Sequence, residues 1–408
     1  MVTIFFVVGG YVMSIRPLKL IHTRQHVSFF NTLVSSVFRR SFRLYIPAII
    51  MSFIAMLSLY AGLWEYARQF TEDNAYVRFD DHHIPRMDSL RLQFMDWVHE
   101  TKMMANIFNY YNDGVTMPYY PHYDPHLWTI PVEYRSGMLL ALALLCFARC
   151  RTGIRMALMA FTTLFVGMWD RWELVCFLSG SLLCEIDLVT GAGSKTTSSI
   201  SPETESKYTA LVDSADILPS YWPYAPRTSS HSLTSNISTI NTRSIISRLM
   251  PYATFLLGLF LLSAPSLEMA TTPGYMIIST FVPSSYSDPK RFPYTIGALL
   301  TVYALIRSAT LRAPFLSPFP QYLGKISFSL YVVHGLLIHV VGLSVTPTIW
   351  ARFTGMETPT EWVMGLLLGS SVLVVCVLIT ADLFWRTVEA WSIGVARRIE
   401  DWCFDSLD

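Results

Sequence analysis

Pro121-His122-Tyr123-Asp124-Pro125-His126-Leu127-Trp128-Thr129-Ile130-Pro131-Val132-Glu133-Tyr134-Arg135 leads into the apolar run Met138–Phe147. A His, a Trp, a Glu and an Arg therefore stand at the mouth of what reads as a membrane helix. Pro131 suits the first turn of such a helix, where its missing N–H costs little. Ionisable groups at bilayer depth are expensive, so a cluster of them marks function by default. Outward from this stretch, the chain reads as a scaffold that brings other polar groups to the same entrance.

Composition agrees with that reading. The 408 residues are 52% hydrophobic and 14% charged, with a mean hydropathy of +0.39. Soluble domains carry about 25% charged residues. The fold class expected is all-α, a polytopic membrane protein with 1–408 as one integral-membrane domain. A net charge of +1 gives no basic field for nucleic acid. The six cysteines lie mostly inside apolar runs without CxxC or metal-ligand spacing, and read as buried structural residues.

A bilayer span needs about 20 apolar residues. Nine windows approach this: Val2–Ser14, Leu44–Leu63, Thr129–Ala148, Met156–Met168, Trp172–Ile186, Pro251–Ser263, Tyr294–Ser308, Ile326–Leu343 and Trp362–Phe384. Leu90–Tyr110 carries Asp96, His99, Glu100 and Lys102 and reads as an interfacial or loop helix. Assigning alternate loops to two sides puts twenty of the thirty Lys and Arg on one of them. The positive-inside rule then places the first loop, with Arg39, Arg40 and Arg43, in the cytoplasm, and the opening stretch on the lumenal or extracellular side. Residues 191–247, rich in Ser and Thr, read as a disordered cytoplasmic loop. Its Asn236-Ile237-Ser238 sequon is a chance match there. The first window begins at the initiator Met with no signal-peptide pattern, so an upstream segment is expected.

Each motif has a plain reading beside a chemical one. Gly9 and Gly10 permit close helix packing. Arg39, Arg40 and Arg43 present guanidinium forks that match phosphates, or else anchor the helix at an anionic surface. Glu133 complements a helix N-terminus, or joins His126 in orienting an acceptor hydroxyl. His334 lies deep in an apolar span with Tyr331 on its face, as a packing residue or as the lining of a polar cavity. His339 points elsewhere. Asp382, Arg386 and Glu389 read as helix-face ion pairs.

Four segments, FFVVGGYVMSIRPLKL, SVFRRSFRLYIP, PHLWTIPVEYRSGM and SFSLYVVHG, together resemble the acyltransferase 3 family of integral-membrane acyltransferases in its fungal branch. The resemblance implies ten membrane helices and transfer of an acyl group, commonly acetyl, from cytosolic acyl-CoA. Acceptors implied are hydroxyls of sugars, lipids or small natural products, with fungal members serving secondary-metabolite pathways. By position, Arg39, Arg40 and Arg43 fall in the segment that meets CoA. His126, Trp128 and Glu133 fall in the lumen-side motif, and His334 in the penultimate helix, so His126, Glu133 and His334 are the catalytic candidates. Arg135 or Tyr331 is the candidate oxyanion donor. The family pattern opens with a helix carrying an Arg and the His taken as the base. That helix should precede Val2, and nine spans plus one make ten. Acyl-CoA is the expected cosubstrate, with no metal. The expected partners are the bilayer and a small hydroxyl acceptor, in the ER or another endomembrane. The competing reading is a multi-pass exporter of a small metabolite, which the lack of repeats and of broken helices disfavours. A third is a catalytically dead remnant.

Overall fold

The computed structural model describes residues 2–71, 84–108, 119–190, 242–265 and 268–404. Among the described residues every regular element is helical. In chain order the helices include α1 (Val2–His22), α2 (His26–Tyr60), α3 (Glu65–Thr71), α4 (Leu90–Ala105), α5 (Thr129–Phe147), α6 (Thr152–Gly167) and α7 (Trp172–Thr190). Then follow α8 (Thr242–Leu262), α9 (Arg291–Arg307), α10 (Ser327–Leu337), α11 (Leu343–Ile349), α12 (Pro359–Phe384) and α13 (Ala390–Cys403). Long apolar runs with few breakers force this outcome, because lipid leaves no partner for an open backbone. Local signals set the ends. Ser89 Oγ accepts the Leu92 amide to start α4, and Thr358 with Glu361 forms a capping box at α12.

All nine apolar windows fall on helices. Five described segments are long and apolar enough to cross a bilayer: Val2–His22, His26–Tyr60, Pro125–Phe147, Ser327–Thr354 and Pro359–Cys403. At sixteen residues α6 is short for a span, and α7 carries Glu173, Glu185 and Asp187. The expectation of unbroken helices fails at Ser308, where α9 turns by 104° into Ala309–Leu316. Ser308 makes the corner by capping the second piece, its hydroxyl accepting from Leu311 N. The expected disordered stretch 191–247 lies outside the described residues up to 241, and α8 already begins at Thr242. The cysteines are also corrected. Cys176 and Cys184 are buried, whereas Cys146 and Cys403 are exposed: the apolar run of α5 has a face turned to lipid as well as one turned to protein, and Cys403 ends the charged helix α13.

Two compact units divide the chain, Met1–Val34 with Ser136–Lys325, and Ser35–Arg135 with Ile326–Asp408. In the first, α1 packs on α7 at backbone distance. A Cβ on Gly10 would stand 2.1 Å from the Phe177 carbonyl oxygen, and one on Gly180 2.1 Å from that of Val7. Phe6 stacks on Trp172 at 5.6 Å beside this crossing, and Tyr11 donates to Asp187 Oδ2 at 2.9 Å. Arg155 Nε donates to Glu185 Oε1 at 2.7 Å, with both residues buried. Backbone cannot yield as a side chain tip does. Gly10→Ala should therefore cost about 1–3 kcal/mol or more by overpacking. Gly153→Ala in α6, with nothing within 4 Å of its new methyl, should be neutral or better. Thermal melts of the two variants in detergent would check the contrast.

Candidate functional site

The polar groups of the opening stretch lie in the second unit. Asp124 caps a 3-10 turn, Pro125–Trp128, with Oδ1 accepting from His126 N at 3.1 Å. Pro at the first position of that turn has no N–H to waste. The turn runs straight into α5, so Thr129 and Glu133 follow His126 at fixed spacing. The neighbouring loop is clamped from α4. Glu100 Oε2 accepts from the Tyr119 hydroxyl at 2.5 Å and the His122 amide at 3.0 Å. Tyr123 donates to Asp96 Oδ2 at 2.8 Å and accepts from Gln93 Nε2 at 2.7 Å. Burial, above all, and then Asp96 and Glu100 push the Tyr123 hydroxyl above its ordinary range, against the Gln93 amide, so it stays a neutral donor.

His126 meets the helix that carries SFSLYVVHG. Its ring centroid is 4.5 Å from that of His334 on α10. Its Nδ1 is 3.1 Å from Asp124 Oδ1. The Nδ1 of His334 pairs with the Tyr331 carbonyl. A carboxylate and a carbonyl only accept, so these partners assign the proton to Nδ1 in both rings and leave Nε2 as the basic nitrogen. Tyr331 donates to the His126 carbonyl and accepts from Thr129 Oγ1 at 2.6 Å. Two motifs thus interlock, Tyr331 lying 205 residues beyond His126 in the chain; both histidines are catalytic candidates from the sequence, which does not predict their contact.

Glu133 lies elsewhere than expected. The positive-inside reading set it on the opposite side of the membrane from Arg40, yet Arg40 donates to Glu133 Oε1 at 2.5 Å. The reason is α2. It begins at His26, so the arginines are not in a loop before a span. Arg40 stands about 21 Å along this continuous 35-residue helix at 1.5 Å per residue. Arg39 meets Glu400 at 3.2 Å, and Arg43 acts electrostatically on both Glu133 and Glu389. All three arginines of the phosphate-binding expectation thus have carboxylate neighbours. Arg40 Nε is buried without a hydrogen-bond partner among the described residues.

Sequence reasoning missed two acidic groups. Asp124 was quoted within the stretch but given no role. Glu389 was assigned to a surface ion pair with Arg386. Arg386 does pair with Asp382, at 2.7 Å, but Glu389 is fully buried and accepts from Ser329 Oγ at 2.5 Å. Trp385–Glu389 is a π-helical turn, and its wider winding carries Glu389 off the face that α-helical spacing assigns. Tyr331 lies in electrostatic reach of both Asp124 and Glu133. A seam of ionisable groups therefore runs from Arg43 and Glu389 through Glu133 to His126 and His334, inside helices that read as membrane spans.

Family comparison says what kind of protein carries this seam. The acyltransferase-domain family profile matches residues 1–189 and 227–381. The chain belongs to that family. It is 27% identical over its whole length to the O-acetyltransferase PaAT-1 of Phomopsis amygdali, of which it covers 74%. It is 22% identical over 95% of its length to the acyltransferase clz18 of Cochliobolus lunatus, covering 78%. No solved structure matches the chain.

Within this acyltransferase, the two oxyanion-donor candidates are already engaged. Arg135 Nη1 donates to the Ile107 carbonyl at 3.2 Å, and the Tyr331 proton goes to the His126 carbonyl. Among the described residues, Asp96, Glu100 and His122 form the set whose ligand atoms come within 4.8 Å of one another. Tyr119, the His122 amide and Tyr123 donate to those carboxylates, which clamps the loop to α4. A cavity of ≈ 10 Å³ beside Glu100 and Trp97 has room for about one water and not for an acyl donor.

Proposed function

We propose that the protein transfers an acyl group, acetyl in the first instance, from acyl-CoA to a hydroxyl of a small molecule in an endomembrane. The observation that carries this reading is the pair of imidazoles, His126 and His334, with ring centroids 4.5 Å apart and both Nδ1 atoms tied to acceptors. Acyl transfer needs one proton removed and one delivered. The family pattern sets its base on a helix ahead of Val2; within this sequence His126 Nε2 is the nitrogen we assign to take the proton of the acceptor hydroxyl as its oxygen attacks the thioester carbonyl. The new C–O bond forms, the tetrahedral oxyanion collapses, and the C–S bond breaks. The proton then passes to the departing CoA sulfur, directly or through His334, to give ester and free CoA. Such acid–base assistance is worth about 10²–10⁴-fold. Arg40 and Arg43 supply the positive charge that CoA phosphates and the oxyanion require. Glu133, held by Arg40, turns that charge into a fixed geometry.

The test uses membranes from cells expressing the chain, radiolabelled acetyl-CoA and a panel of sugar, lipid and polyketide-type alcohols. Label is expected in an ester product with equimolar release of CoA thiol. Movement of an alcohol across proteoliposomes with no CoA turnover would replace this reading with export.

A further inference from the structure

The structure assigns Asp124 as the positioning residue for His126, and Gly335 as the space that seats it. This deepens the acyl-transfer reading and rests on it for its catalytic meaning. Asp124 is 1% exposed. One carboxylate oxygen takes both the His126 amide and the His126 Nδ1, each at 3.1 Å. The other oxygen, Oδ2, is buried without a hydrogen-bond partner among the described residues. A cap alone does not require this arrangement, since Asn or Ser caps a turn as well as Asp does. Burying a carboxylate with one oxygen unsatisfied is expensive, so a second role must justify the charge. The charge lies where an imidazolium would form, opposite the Nε2 that takes the proton.

α10 is shaped to accept that carboxylate. A Cβ on Gly335 would fall 2.4 Å from Asp124 Oδ1 and 2.6 Å from Cγ and Oδ2. The glycine that follows His334 therefore lets Asp124 press against the helix, which also brings the rings of His126 and His334 side by side. His126 remains reachable, its side chain 30% exposed while that of Asp124 is 2%.

Asp124→Asn separates positioning from capping. The amide oxygen still takes both the His126 amide and Nδ1, but the negative charge opposite Nε2 is gone, so the imidazolium formed on proton transfer loses its counter-charge and Nε2 becomes the weaker base. In a catalytic triad this exchange lowers kcat by about 10⁴-fold without disturbing geometry. Here kcat for acetyl transfer is expected to fall by about 10²–10⁴-fold with KM for acetyl-CoA nearly unchanged. Diethyl pyrocarbonate, read by peptide mass spectrometry, supplies a measure independent of turnover. It labels a basic imidazole nitrogen, so with the carboxylate removed from Nδ1 the His126 labelling rate should drop by about tenfold, while His334 labelling holds. Asp124→Ser, which keeps the cap and does not crowd Gly335, should reproduce the loss should the Asn variant fail to fold. Unchanged kcat and unchanged His126 labelling in the folded variants would overturn the assignment. Lost labelling in a protein that acylates no acceptor would instead uphold Asp124 and remove the acyl-transfer reading.

Discussion

His126→Ala is expected to lower acetyl transfer by about 10²–10⁴-fold, close to 3–5 kcal/mol of barrier, while leaving the protein folded. The structure separates these two outcomes. What His126 gives to the fold is its backbone: its carbonyl accepts the Tyr331 hydroxyl, and its amide is capped by Asp124. Alanine keeps both. The imidazole, by contrast, contacts Asp124 through Nδ1 and lies tilted against that of His334, and its loss removes the nitrogen to which the proposed mechanism gives the acceptor proton. His334→Ala should be similarly severe, since its ring lies against that of His126. Residues that act as a unit are not additive, so the double variant should be little worse than either single one. Initial rates against acetyl-CoA concentration, with a melt on each variant, would decide it. Single-variant losses under about fivefold would place the base elsewhere, because a general base contributes at least about 10²-fold.

How far the sequence revealed this site depends on the kind of signal. The helices were legible because hydropathy averages over about 20 residues and tolerates errors at the ends. The two histidine motifs were legible as suspects because charge in apolar surroundings is conspicuous. Their contact was not, since nothing local in PHLWTIPVEYRSGM refers to SFSLYVVHG. Glu133 was set apart from Arg40 because loop-charge counting treats a run of arginines as a loop, and SVFRRSFRLYIP has no Gly before Pro47 to end the helix that begins at His26. Asp124 looked like a turn residue before Pro125, and it is one. That its oxygen also reaches Nδ1 is a consequence of the fold, not of the local sequence. Glu389 was hidden by a π turn, which spacing rules built on 3.6 residues per turn do not anticipate.

Arg40→Ala should be among the most destabilising single changes at the site, by about 3–5 kcal/mol, because it strands a charge instead of deleting a bond. Glu133 and Arg40 have side chains 8% and 19% exposed, and they meet at 2.5 Å. Removing the guanidinium leaves a carboxylate inside a helix bundle where water does not replace it. Arg43 also acts on Glu133, so the single variant should fall toward the lower end and the Arg40→Ala, Arg43→Ala pair well beyond it. The opposite result is expected for Arg40→Met combined with Glu133→Leu. Apolar isosteres of a buried ion pair are often neutral or stabilising, so the double variant should melt near the unaltered protein. It should nevertheless be inactive on the proposed reading, in which Arg40 offers positive charge to CoA and Glu133 helps to fix the site. That separation distinguishes the plain account of Glu133 from the chemical one. A first-turn carboxylate that serves the helix dipole is worth about 0.3–1 kcal/mol and owes nothing to Arg40. An Arg40→Ala variant that melts with the unaltered protein would favour the dipole account. A stable, active Met–Leu double variant would take both residues out of the transfer site altogether.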